Sequence, residues 1–257
     1  MRFGAIVAAA LTLAAPASAQ TINPDALWKI VHGLCVPDEQ QHGSPAPCTL
    51  VDLSHGEDHG YAVLKDLVGA TQYLLIPTGR VEGIETPSII APDARNYFAD
   101  AWRARRYVDD VLKRPVARDM IALAINSAHA RSQEQLHIHI DCIRADVRAI
   151  LHDYQSEIGP RWAPFDPLLA GERYRAMRMM GEELKANPFV LLADGMEGAR
   201  DTMGDQTLVV AGATFPGGAP GFILLDDEAN LMSGDRAGGE ALQDHGCAVA
   251  RPPSPTP

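Results

Sequence analysis

The sequence predicts an α+β fold built on an antiparallel sheet. Short β-prone runs recur from Tyr61 to Leu225, and the first two flank a tight connection containing Asp66 and Gly69. Such spacing suits a hairpin. Helical periodicity is interspersed among the strands, so the element order is mixed and hairpin-rich.

Taken in order, Tyr61–Leu64 and Gln72–Ile76 form the hairpin, and Pro77 ends its second strand. A helix is predicted next, because Tyr97, Ala101, Ala104, Val108 and Val111 recur on one helical face. Asp93 or Asn96 is placed to cap it, and Lys113-Arg114-Pro115 to stop it. Ile121–Ile125 reads as a strand, Asn126–Glu134 as a polar loop, and Leu136–Ile140 as a strictly alternating strand. Val147, Ile150, Leu151, Tyr154 and Ile158 mark a second helix that Gly159-Pro160 ends. A third helix is predicted from about Glu172 to Lys185, followed by strands at Phe189–Leu192, Leu208–Ala211 and Phe222–Leu225. This last part extends the sheet with a strand-rich C-terminal portion.

The chain has 257 residues, of which 46% are hydrophobic and 21% charged. That composition excludes wholesale disorder, a collagen-like repeat and a polytopic membrane protein. No internal repeat or long linker divides it, so residues 20–250 are read as one domain, with Arg251–Pro257 a disordered proline-rich tail. Asp and Glu number 33 against 22 Lys and Arg, a net charge of −11. An acidic surface argues against nucleic acid as a partner, since that needs clustered basic groups. A phosphate-bearing small molecule needs only a few local donors and stays possible.

Residues 1–19 have the layout of a secretory signal peptide: Arg2, an apolar run from Gly4 to Ala15, then Ala17-Ser18-Ala19 before Gln20. The run is about 12 residues long, short of the roughly 20 that span a bilayer. Export to an oxidising compartment makes disulfides the natural reading of Cys35, Cys48, Cys142 and Cys247, which contain no CxxC pair. Four cysteines allow three pairings, and sequence alone does not choose. Cys35 with Cys48 would close a small loop and contribute about 3 kcal/mol. Cys142 with Cys247 would then tie the C-terminal end to the strand at Leu136–Ile140, and this pairing is the favoured one.

No GxSxG elbow, P-loop, GxGxxG or HExxH motif occurs. The chemistry instead concentrates in Ser132-Gln133-Glu134-Gln135-Leu136-His137-Ile138-His139-Ile140. Alternation sets Gln135, His137 and His139 on one strand face and aliphatic residues on the other, so the polar face lines water or a ligand. Three readings follow. The histidines are incidental or backbone-bonded; or they are a metal-ligand pair completed by His129, His152 or His245; or a neutral imidazole attacks phosphorus to form a phosphohistidine.

Asn126-Ser127 through Ser132-Gln133 to QLHIHI resembles the active-site segment of the histidine-triad superfamily, with Gln135 where the first histidine of that pattern stands. AVLKDL and QYLLIPTGRV resemble its hairpin, in which Asp66 matches an acidic residue that contacts a nucleotide ribose. LWKIVHGLCVPDEQQHGSPAPC, YAVLKD, QYLLIPT, LAINSAHARSQEQLHIHIDCIRADVR and LQDHGC together resemble the CDP-diacylglycerol pyrophosphatase family. That resemblance covers most of the chain and all four cysteines. It implies a histidine-triad-like fold and hydrolysis of CDP-diacylglycerol to CMP and phosphatidate, with no cofactor and no obligatory metal. By position, His137 matches the nucleophile and His139 its supporting partner. Ser132 and Gln133 would bind phosphate, Gln135 would contact the substrate, Asn126 would brace the loop or contact the same phosphate, and Arg144 would neutralise charge. Asp244-His245 is a candidate supporting pair. Asp141, Asp146 and Arg148 read as solvated or helix-terminal, and Tyr97 and Trp102 as core. The implied partner is a lipid nucleotide at a membrane surface, and the implied location is the periplasm beside the inner membrane. Some members of this family keep the N-terminal segment as an anchor, whereas ASAQ favours cleavage here. Two other functions compete: a metal-dependent phosphodiesterase using the His-x-His pair, and a non-catalytic nucleotide- or lipid-binding module.

Overall fold

Aliphatic residues occupy both faces of most strands, so the sheet they form has to be covered on both sides. The computed structural model describes residues 23–251. The expected signal peptide and the tail beyond Arg251 lie outside the described residues. Nine strands make one sheet: β1 (Leu50–Asp52), β2 (Tyr61–Lys65), β3 (Tyr73–Pro77), β4 (Ile121–Ile125), β5 (Ile138–Cys142), β6 (Ala163–Leu169), β7 (Glu172–Met180), β8 (Gln206–Phe215) and β9 (Ala219–Glu228). Their spatial order is β1-β2-β3-β5-β4-β8-β9-β7-β6, with every neighbouring pair antiparallel. The α+β class and the β2–β3 hairpin agree with the sequence.

One face is closed along much of its length. Val63, Leu75, Leu123, Ile138, Ile140, Val210 and Leu224 pack there with Phe98, Trp102 and Phe189. Those aromatics come from α3 (Tyr97–Ala104) and α6 (Pro188–Gly195). Tyr97 and Trp102 are core residues, as read from the sequence. The opposite face is closed in two separate places. At one end the helical segment formed by α1 (Ala26–Ile30), a π-turn (Val31–Cys35) and α2 (Val36–His42) sets Val31 and Val36 on Ala62, Leu74 and Ile76. At the other, α5 (Ala145–Tyr154) sets Val147 and Leu151 in a cluster with Ala122, Ala124, Val209 and Ile223. His139 of β5, and His137 just before the strand, fall in the gap between these clusters.

Both disulfides take the favoured pairing, Cys35–Cys48 and Cys142–Cys247. The first ties the N-terminal helices to the segment entering β1. The second ties β5 to the C-terminal loop.

Three elements differ from expectation. Glu172–Lys185, expected as a helix, contributes strand β7, because it pairs along one edge with β9 and its two faces join the two core clusters: Tyr174 and Ala176 on one, Met177 and Met179 on the other. Long-range pairing here overrides the helix propensity of Glu, Arg and Met. Phe189–Leu192, expected as a strand, lies in α6, where the Asn187 side chain accepts the Phe189 amide and Pro188 opens the first turn. The single helix expected over Tyr97–Val111 is two, α3 and α4 (Arg106–Leu112), parted at Arg105, whose guanidinium bonds the Trp102 carbonyl at 2.6 Å. Asn96 caps the first of them by accepting the Ala99 amide, and Lys113 ends the second in a left-handed conformation.

Candidate active site

β5 lies between β3 and β4, and its register sets His139 directly between Leu74 and Ala124. Leu74 and His139 both line a cleft of about 590 Å³. His137 and His139 form its floor, Ser132, Gln133, Asp66, Lys65 and Glu240 its polar side, and Ala26, Leu27, Ile30, Pro47, Leu64, Leu67, Val68 and Leu74 its apolar side.

The two imidazoles have opposite tautomers. The Nδ1–H of His137 donates to the Gln135 carbonyl at 2.7 Å. A carbonyl only accepts, so in the neutral ring the lone pair sits on Nε2. His139 is reversed: its Nδ1 accepts from Gln72 Nε2 at 2.5 Å, which leaves the proton on Nε2, a buried atom with no hydrogen-bond partner among the described residues. The rings meet edge to face with centroids 5.0 Å apart. Burial pushes the pKa of His137 down, and burial together with the nearby His137 and His245 pushes that of His139 well down. Both rings are neutral at neutral pH, so the pair presents one lone pair and one N–H donor.

Glu240 organises the polar side, though the sequence reading did not single it out. Its Oε1 accepts from Gln72 Nε2 at 2.9 Å and lies 3.3 Å from His245 Nε2 and 3.4 Å from His139 Nδ1. Asn126 brackets it: Asn126 Nδ2 donates to Oε2 at 3.3 Å, and Asn126 Oδ1 accepts the Glu240 amide at 3.1 Å. Asn126 thus braces the Glu240 segment, a partner 114 residues away and outside its own loop. Glu240 reaches the cleft because Gly239 lies flat on the sheet, where a Cβ would come within 2.6 Å of Thr207 Oγ1 and 2.8 Å of Val209 Cγ2. Gly239→Ala is therefore expected to cost about 1–3 kcal/mol through overpacking, read as a lowered Tm in thermal unfolding followed by circular dichroism.

Asp141 and His245 correct the sequence reading. Asp141, expected to be solvated or helix-terminal, is fully buried on β5, accepts from Thr71 Oγ1 at 2.6 Å and from the Cys142 amide at 2.8 Å, and pairs with His245 Nδ1 at 2.8 Å. His245 partners Asp141 and not its neighbour Asp244, which instead accepts the amides of Gly246 and Ala248. The bond to Asp141 raises the pKa of His245. The Cys142–Cys247 bridge sits one residue from Asp141 and two from His245, and it holds the pair together.

The remaining expected residues separate into two groups. Ser132, Gln133 and Asp66 line the cleft. Gln133 also ties the loop to α1, accepting the Leu27 amide at 3.1 Å and donating to the Asn23 carbonyl at 3.0 Å. Gln135 does not line the cleft. It precedes β5, is fully buried, and its amide donates to the Pro77 and Gly79 carbonyls at 3.0 and 2.9 Å. Arg144 points away, with its guanidinium on Asp146 and the Ala241 carbonyl. Arg148 pairs with Asp119. Lys65 stands at the edge of the cleft, but its register partner is Tyr73 on the other sheet face; its Nζ lies 5.7 Å from the Tyr73 ring and donates to the Asp66 and Gly69 carbonyls at 2.9 Å. Of the third metal ligands considered, His129 bonds Asp205 and His152 lies on α5 beside Gln155. Among the described residues no three His, Cys, Asp or Glu side chains converge as a metal site.

Such a site, with two neutral imidazoles and polar side chains beside an apolar wall, suits a phosphate ester with a greasy substituent. A model of the CDP-diacylglycerol pyrophosphatase family matches residues 22–251. The chain belongs to this family. It is also 42% identical over 228 residues to the CDP-diacylglycerol pyrophosphatase of Yersinia pestis, covering 88% of this chain and 85% of the relative. The span matched by the CDP-diacylglycerol pyrophosphatase model takes in β5, both disulfides, Lys65 and the Glu240–His245 segment, so every part of the site lies within it.

Proposed function

We propose that this protein is a hydrolase that cleaves the diphosphate of CDP-diacylglycerol to CMP and phosphatidate through a covalent adduct on His137. The observation that carries the mechanism is the His137–Gln135 hydrogen bond, which fixes the nucleophilic lone pair on Nε2 at the cleft floor. Family membership supports the substrate. His137 Nε2 attacks the phosphorus of the CMP half, an N–P bond forms, and the bridging P–O bond breaks with its electron pair leaving on phosphatidate. Water then displaces His137 from phosphorus, releasing CMP and restoring the imidazole. His139 Nε2–H donates to a phosphoryl oxygen as charge builds there. Ser132 and Gln133 complete the phosphate contacts, and Asp66 faces the ribose. The β2–β3 hairpin, the antiparallel β3–β5–β4 core and the Asn126–Gln133 loop support a histidine-triad-like reading of the fold, in which Gln135 has become a structural brace. The signal-peptide pattern of residues 1–19 and the two disulfides support an exported, periplasmic location at the inner membrane.

Purified protein incubated with CDP-diacylglycerol in detergent and EDTA is expected to release CMP. Release only after zinc or magnesium is added would replace this mechanism with a metal-dependent phosphodiesterase. Saturable binding without release under either condition would leave a binding module.

A further inference from the structure

The β2–β3 hairpin turns at Asp66–Gly69 and carries two apolar residues at its tip. Leu67 is fully exposed and Val68 is 64% exposed. The turn is nonetheless well anchored. Asp66 Oδ1 accepts the Val68 amide at 3.0 Å, Lys65 Nζ clasps both ends of the turn, and the Ala70 amide donates to the His245 carbonyl at 2.9 Å. Gly69 has φ +76° and a Cβ there would lie 2.5 Å from that of His245, so the tip is seated against the C-terminal loop. An anchored turn that holds Leu and Val outward does so against the hydrophobic effect, and a matching apolar phase offsets that cost. Leu67 and Val68 also line the mouth of the cleft, and from them an apolar wall of Leu27, Ile30, Leu64 and Leu74 runs inward toward the histidines.

We propose that this wall and the hairpin tip form an acyl-chain channel: Leu67 and Val68 enter the surface of a lipid bilayer, and the two fatty chains of the substrate lie along the wall. The proposal rests on the substrate proposed above. A diphosphate held at His137 places the group esterified to it on the continuous wall. Lys65, whose ammonium sits at the base of the tip, matches anionic phosphates at the level of the lipid headgroups.

The test uses the full chain carrying Leu67→Trp with vesicles of phosphatidylcholine and phosphatidylglycerol that contain no CDP-diacylglycerol. Relative to the wild-type protein and its three tryptophans, the variant is expected to gain emission that shifts to shorter wavelength and is quenched by lipids brominated on their acyl chains. Added emission that keeps its water-exposed wavelength and escapes quenching overturns the proposal. In parallel, Leu67→Ser/Val68→Ser is expected to lower the ratio of kcat/KM for dioleoyl over dibutyryl CDP-diacylglycerol about tenfold, or about 1.4 kcal/mol; an unchanged ratio also overturns it. Failure of the underlying function is separately visible: the wild-type protein would release no CMP from either substrate, while the vesicle measurement would still decide whether the tip meets lipid.

Discussion

His137→Ala is expected to lower kcat for CMP release by about 10³–10⁵-fold while leaving the protein folded. The size of the effect follows from losing the Nε2 lone pair to which the proposed mechanism assigns the attack. Stability should change little at neutral pH, because the ring opens on the cleft and water can take over the Gln135 carbonyl that it occupied. In acid the sign reverses. The folded-state pKa of His137 lies below the ordinary value of 6.5 because the ring is buried, so the unfolded chain takes up a proton that the native protein resists. Wild-type stability therefore falls as pH drops below about 6.5. Removing His137 removes that penalty, and the variant should lose less Tm than wild type between neutral pH and pH 5. Kinetics and circular dichroism on the same sample provide the check. Activity within tenfold of wild type at an unchanged spectrum would falsify the nucleophile assignment.

How much of this was legible in the sequence depends on the range of the interaction responsible. The β2–β3 hairpin, the His137–His139 alternation and the end of α4 at Lys113 are set within a few residues, and periodicity with turn chemistry reveals them. β7 and α6 differ from the sequence expectation because short apolar or helix-prone runs take their state from a partner, here the long β9 strand for β7. In the site, the alternating segment carrying His137 and His139 is legible and the carboxylate beside His139 is not. Glu240 is 114 residues from Asn126, the side chain that brackets it. Its only local signal is the Gly238-Gly239 pair, which lets the chain approach the sheet. Gln135 misled for the opposite reason. Two-residue alternation was extended back beyond the start of β5, into a loop where the amide is consumed by the Pro77 and Gly79 carbonyls.

Glu240 and His245 are expected to govern the pH profile, although neither is a nucleophile. Glu240 accepts from the Gln72 amide that fixes the tautomer of His139. Glu240→Ala should free that amide, let the His139 proton move between its nitrogens, and lower kcat about 10²-fold, as removal of one preorganised donor does. KM should change far less, because the residues assigned to phosphate and ribose stay in place. His245 acts on the same carboxylate from the other side. Its raised pKa keeps it protonated above the ordinary value of 6.5, where it neutralises both the buried Asp141 and Glu240. Once it deprotonates, two carboxylates share the loop without a cation, a costly arrangement at this depth. His137 and His139 titrate on the opposite side of 6.5, both pushed down by burial. Activity should therefore form a plateau spanning pH 6.5, with an acid limb from the neutral pair and an alkaline limb from His245. His245→Gln is expected to abolish the alkaline limb and spare the acid one, a split that a general loss of stability would not produce. An alkaline limb that persists unshifted in that variant, measured in a full pH–kcat series, would mean that another group sets it and that Glu240 holds Gln72 without help from His245.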